Sequence, residues 1–363
     1  MKTFLTIMIA IIFSACRGDN AYDGETGLIQ ATAANSDALA SLQENVFVAH
    51  ADAFKASTVT FKEHLGSFEV NTTEANLQQL QEDFLTVIQE WQSVEATYII
   101  GDYDAAMQDM PLLIDSFNQG KTNITELIDR ALTNSGTVQD NFYRNDMKGV
   151  PALQYLLFGE QNSTAEMLTL MQENNGTRID ALELVIDNLN AKATQIAEFY
   201  QNDTLFVDDP QMASDVLISV MATDALKLKD WRIGEPAGLT VKYRDNPDPT
   251  RLQYYQSHYS TESIKAILQT HREVMSTQSY GNFGSFAKEN GASSAIAQVE
   301  TLLDEAMELT NQLDPIEEKI STTQIDSNVS ELYTKIQTLN NTYQTAVVEA
   351  LNITTDIISV DGD

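Results

Sequence analysis

The chain has 363 residues, 43% of them hydrophobic and 8% aromatic, which is enough apolar material for a packed core of one long or two shorter domains. Its 53 acidic residues against 21 basic ones give a formal net charge of -32, and such a field repels nucleic acid and anionic lipid surfaces. Neutral ligands, cations or basic peptides fit this balance better, and the charge also keeps a secreted protein soluble.

Met1 and Lys2 open the chain with a basic start, residues 3–15 form an uncharged and mostly apolar run, and the small residues Ser14 and Ala15 precede Cys16. The run is too short to span a bilayer, so residues 1–15 read as an export signal. The ending FSAC resembles the lipobox of bacterial lipoproteins, which makes Cys16 the candidate lipidated residue. As the single cysteine, Cys16 excludes an intrachain disulfide and a structural cysteine-zinc site. Residues 16–35, with RGDNAYDGETG at their start, read as a flexible tether.

Helical periodicity then dominates. Residues 38–65 carry a first pattern, followed by Leu77, Leu80, Phe84, Val87, Trp91, Val94 and Tyr98 in spacings of three and four, one buried stripe. Asn71, Thr72 and Thr73 before Glu74 predict its start, and Gly101 its end. GVPALQYLLFGE, residues 149–160, opens another helix: Pro151 suits a first turn, Gly149 a tight entry, and Leu153, Leu156 and Leu157 a buried side with Gln154 about one face away. Further patterns cover 179–199, 212–228, 264–275, 296–313 and 329–351. No alternating strand pattern is evident, so the fold class is all-α.

The polar break YQNDTLFVDDPQ, residues 200–211, divides an N-terminal helical half (36–200) from a C-terminal one (201–363), with Pro210 placed to start the next helix. Residues 231–260 form a longer interruption that holds Pro236, Pro247 and Pro249. Tyr243, Tyr254, Tyr255 and Tyr259, together with Arg232, Arg244 and Arg251, argue that it is ordered as a cleft wall.

Standard catalytic motifs such as HExxH, GxSxG and phosphate or dinucleotide loops are absent. His50, His64, His258 and His271 include no pair at the spacing that places two ligands on one helix face.

Several segments in order resemble the imelysin family, envelope proteins and lipoproteins often associated with iron uptake and described as peptidases. The family's GxHxxE signature and following run are similar to Gly149, Pro151, Gln154 and YLLFG (155–159). WRIGEPAG (231–238), SHYSTESIKAIL with Ser257 and Ser260, and the terminal DGD (361–363) continue the resemblance. It implies two bundle-like helical halves with the signature facing a cleft where they meet, and a histidine and a glutamate as ligand, base or acid. Here those positions carry Pro151, which has no donor atom, and Gln154, which has no exchangeable proton, so that chemistry cannot run on them.

The expectation is thus a lipid-anchored protein of the bacterial envelope that binds a small ligand without hydrolysing it, with no catalytic residue, resident cofactor or transition metal. Arg232, Glu235, Ser257 and Ser260 are the candidate ligand contacts, and Asp361 and Asp363 leave room for a weakly held divalent cation. Partners are the membrane through the lipid and a small ligand or envelope protein, not nucleic acid, on a periplasmic or cell-surface face. The alternatives are a hydrolase built from other residues, for example His258 and Glu235, and a structural or partner-docking lipoprotein.

Overall fold

A computed structural model describes Ile29, residues 32–118 and residues 123–353. Cys16, the signal and most of the tether, and Asp361 to Asp363 lie outside the described residues. Helices account for the architecture, and among the described residues the only extended pairing is an isolated antiparallel bridge between Ile320 and Ile325.

The principal helices are α1 (Ala49–Val70), α2 (Glu74–Ala96), α3 (Met110–Ile114), α4 (Ile124–Thr133), α5 (Val150–Phe158), α6 (Thr177–Asn202), α7 (Pro210–Lys227), α8 (Ser260–Met275), α9 (Ser293–Gln312) and α10 (Ser327–Thr342). The apolar stripe of α2 is buried from Leu77 through Val94. Trp91 belongs to that core, its ring 5.5 Å from Phe54 of α1. The Thr73 hydroxyl accepts from the Asn76 N–H at 3.3 Å and caps the helix. Asp209 caps α7 through the Met212 N–H at 3.0 Å, with Pro210 in the first turn, where its missing N–H costs nothing.

α2 is the central wall of the fold. It packs on α1, α5, α7 and α8, and a single hydrophobic cluster runs through the helices. α8 packs on α9, α9 on α10 and α10 on α7.

Three local readings change. α2 ends at Ala96, and Gly101 falls inside the next short helix, Ile100–Tyr103. α5 is buried all round rather than along one side: Gln154 is only 5% exposed, because α2, α4 and α6 enclose the helix. The interruption also starts later than the prolines suggest. α7 runs on through a π-helical stretch, Leu228–Gly234, and a turn, Glu235–Ala237. Gly238, in the left-handed region at φ 69°, ends it, and a side chain there would collide with the backbone of Asn246 and Pro247. The true connection is residues 239–259.

Candidate functional site

The site begins at the entry to α5. Gly149 precedes the helix in extended geometry (φ -112°, ψ -171°), so its need is spatial: a Cβ would run into the carbonyl oxygen of Ile114 at the end of α3. The close approach pins α3 against α5. Pro151 occupies the first turn, and Gln154, one turn on, donates from Nε2 to the Ser257 hydroxyl at 3.1 Å. Ser257 Oγ in turn donates to the Tyr254 carbonyl at 3.1 Å. A second tie follows α5, where Gln161 Nε2 donates to the Tyr255 carbonyl at 2.8 Å. Aromatic packing seals the join: Tyr259 lies 5.9 Å from Phe158 of α5 and 6.5 Å from Phe84 of α2. The 239–259 connection is therefore ordered against α5.

Between them lies a cavity of about 660 Å3. Pro151, Gln154, Glu160 and Gln161 form one wall, Ile124 and Thr125 of α4 a second, and Glu235, Tyr243 and residues 250–253, 255 and 256 the third. Glu235 pairs with Lys242 at 3.4 Å. Arg251 lies over the Tyr243 ring at 4.0 Å, donates to the Asn246 carbonyl at 2.7 Å and faces Asp248 at 3.6 Å.

A smaller cavity of about 200 Å3 adjoins it, and Phe117 and Gln253 line both. Its inner wall is a buried polar network. Arg232, 3% exposed, donates from Nη2 to Gln92 and Glu95, both at 2.9 Å, and from Nε to Gln253 Oε1 at 2.8 Å. Gln253 Nε2 passes the link to Asp115 at 2.8 Å, where the Tyr254 hydroxyl also donates, at 3.2 Å. Burial, then the nearby Glu95 carboxylate, push the Asp115 carboxyl up to about 6 against the pull of the Phe117 N–H, Arg232 and Gln253. Arg232 Nη1 has no acceptor among the described residues.

Three of the four histidines are tied to carboxylates across helices. His50 meets Glu273 at 2.6 Å, His64 meets Asp83 at 2.7 Å, and fully buried His271 bridges Asp224 at 2.9 Å and the Tyr343 hydroxyl at 3.0 Å. Burial alone would raise Asp224, but the His271 hydrogen bond and charge, with Arg232 and Lys227 behind, hold it below the ordinary carboxylate value. Among the described residues no group of three or more His, Cys, Asp or Glu side chains is arranged to hold a metal ion.

The family model for imelysin, peptidase M75, matches residues 47–343. The chain belongs to the imelysin family. No curated protein sequence matches it. Among solved structures it is similar to an imelysin-like protein from Psychrobacter arcticum 273-4, with 14% identity and a TM-score of 0.64 over 90% of this chain and 98% of that one. It is also similar to a protein assigned as an iron-regulated protein A precursor from Parabacteroides distasonis ATCC 8503, with 11% identity and a TM-score of 0.69 over 90% and 97% of the two chains. At these identities the two structures establish a shared fold.

Within this imelysin fold the anticipated residues separate. Pro151, Gln154 and Glu235 share the larger cavity, and Ser257 stands behind Gln154. Arg232 lines the smaller cavity instead, locked in its network. Gly149 lines neither; it serves the approach of α3. Ser260 lines neither as well, because it opens α8, where its N–H donates to Glu317 at 3.0 Å. His258 is exposed, with φ 60°, and does not share the cavity with Glu235. Gln92, Glu95, Asp115 and Gln253 are the members that sequence reasoning misses: they come from three distant segments, and nothing local marks them as neighbours.

Proposed function

We propose that this imelysin is a lipid-anchored, ligand-binding protein of the bacterial cell envelope with no hydrolytic activity of its own, serving the uptake of iron or another nutrient. The observation that carries this reading is the cavity beside α5, whose walls come from both halves and are held by Gln154 and Gln161 rather than by an acid–base pair. A volume of about 660 Å3 is within the usual range for small-molecule sites.

By the resemblance, the family's histidine and glutamate fall on Pro151 and Gln154. A transition-metal ion there would find no donor on the proline and one neutral carbonyl oxygen on the glutamine, whose amide nitrogen is engaged with Ser257. These side chains do not fit such a metal. The name of the Parabacteroides relative supports the iron-uptake part of the reading, and the FSAC ending at Cys16 supports the lipid anchor.

Native mass spectrometry of protein isolated from its own membranes tests the proposal. The expected result is a non-covalent small-molecule adduct that disappears in Ile124→Trp, which fills the cavity. Chelator-sensitive peptide cleavage by the wild type, or no adduct at any stage of purification, overturns it.

A further inference from the structure

The charges around the larger cavity are nearly all spent inside the protein. Glu235 answers Lys242, and Arg251 is committed to Asp248, the Asn246 carbonyl and the Tyr243 ring. Glu160 is the one charged lining residue with no ion pair among the described residues. An anionic ligand would therefore meet a negative wall with no free cation, inside a chain of net charge -32. A strongly cationic one would find a single exposed carboxylate.

The spare capacity is neutral. Gln154 and Gln161 each commit the amide nitrogen to the 239–259 connection and keep a carbonyl oxygen with no donor among the described residues. Gln256 and Tyr255 line the same space, and neither side chain makes a hydrogen bond among the described residues. A side-chain amide presents a donor beside an acceptor, and each hydroxyl of a polyol does the same, so the two interlock in pairs. Phe117, Leu252 and the Tyr255 ring supply apolar surface for the C–H faces of a ring-shaped ligand. An extended peptide would look for a free strand edge, and among the described residues the walls are helices and a connection with no strand.

We propose that the larger cavity recognises a neutral, hydroxyl-rich ligand, a di- or trisaccharide, through Gln154, Gln161, Gln256 and Tyr255. This deepens the ligand-binding reading and rests on it. The site is then a side-chain amide cradle, and specificity lies in hydroxyl geometry. An analogue lacking a hydroxyl leaves a buried amide unanswered and is rejected more strongly than one that merely changes size.

Saturation-transfer NMR and calorimetry on the full mature chain test this with neutral trisaccharides (maltotriose, cellotriose and triacetylchitotriose), trigalacturonic acid and trialanine. At least one neutral trisaccharide should bind, with Gln256→Ala weakening it about tenfold, the size of one lost hydrogen bond. Tyr255→Phe, which removes only the hydroxyl and leaves the ring, gives a second reading should Gln256→Ala fold poorly. Preferential binding of trigalacturonic acid overturns the neutral character and preferential binding of trialanine overturns the saccharide class, and either result leaves a ligand site standing. Binding of none of the three neutral sugars overturns the inference, and the native mass spectra then decide the broader reading separately.

Discussion

Gln154 and Ser257 are 103 residues apart in the chain, yet one hydrogen bond of 3.1 Å joins them behind the cavity wall. Both are buried, at 5% and 6% exposure, so the bond is shielded from bulk solvent. Ser257→Ala therefore leaves the Gln154 amide without an acceptor and should cost about 1–3 kcal/mol of stability. Denaturant unfolding measures that cost, and limited proteolysis should show earlier cleavage within residues 239–259. Unchanged protection of that connection would mean that Gln161 and the tyrosine packing hold it alone.

The helices were legible because each buries a stripe whose period is fixed by backbone geometry: the Leu77 to Val94 series announces α2 without tertiary information. Pro210 and Thr73 were legible for the same local reason. α4 has its own apolar repeat at Ile124, Leu127, Ile128 and Leu132, but at ten residues it is easily passed over. What a sequence cannot display is convergence. The sequence marks Arg232 as a cleft residue, yet its partners Gln92, Glu95 and Gln253 lie 140, 137 and 21 residues away. The π-helical run through Gly234 hid for a different reason: glycine and proline read as breakers, whereas Gly234 keeps helical geometry (φ -70°, ψ -46°) and Pro236 falls in the last turn before Gly238.

Gly149→Ala should be costly although its φ of -112° suits any residue. The added methyl group must displace the Ile114 carbonyl, which is backbone and cannot rotate away. Overpacking of this kind costs about 1–3 kcal/mol. Because α3 leads directly to Asp115 and Phe117, the displacement should also disturb the wall between the two cavities. A thermal melt unchanged from wild type would show that α3 yields freely.

Asp115 gives a pH signature with a definite sign. Its carboxyl rises from an ordinary 3.8 to about 6 in the folded chain, so between those values the folded state holds a proton that the unfolded state has released. Protonation favours folding: the carboxylate's destabilising contribution is absent below about pH 4 and complete above about pH 6. Asp115→Asn abolishes it, while any mispairing of the new amide with Gln253 and Tyr254 costs the same at every pH. The stability of the variant relative to wild type should therefore improve by about 3 kcal/mol on going from about pH 4 to about pH 7. Unfolding curves for both proteins across that range check it, and a relative stability independent of pH contradicts the shift.

Cys16→Ser should release the protein from the membrane fraction or leave the signal uncut, because the apolar run ends in small residues directly before the single cysteine. Fractionation and intact-mass measurement of the mature N-terminus decide it. A wild-type mature chain that starts elsewhere rules out the lipid anchor.

Installing the pair that the family resemblance implies, Pro151→His with Gln154→Glu, asks whether the cavity accommodates a metal once donors are present. The exchange places an imidazole and a carboxylate one turn apart on α5, facing the cavity that Pro151 and Gln154 already line. The single variant Pro151→His, which keeps Gln154, isolates the carboxylate's share by comparison with the double. Ser257 can turn its hydroxyl from the Tyr254 carbonyl toward the new carboxylate, so the tie to the connection survives with donor and acceptor exchanged. Loss of the first-turn proline costs pre-organisation at the helix start, which a thermal melt reports separately. Wild type should bind no stoichiometric zinc or iron through these positions, and the double variant should gain measurable zinc affinity by calorimetry, since two charged or strongly basic donors replace none. Tight metal binding by wild type that vanishes in Gln154→Ala would overturn the non-catalytic reading.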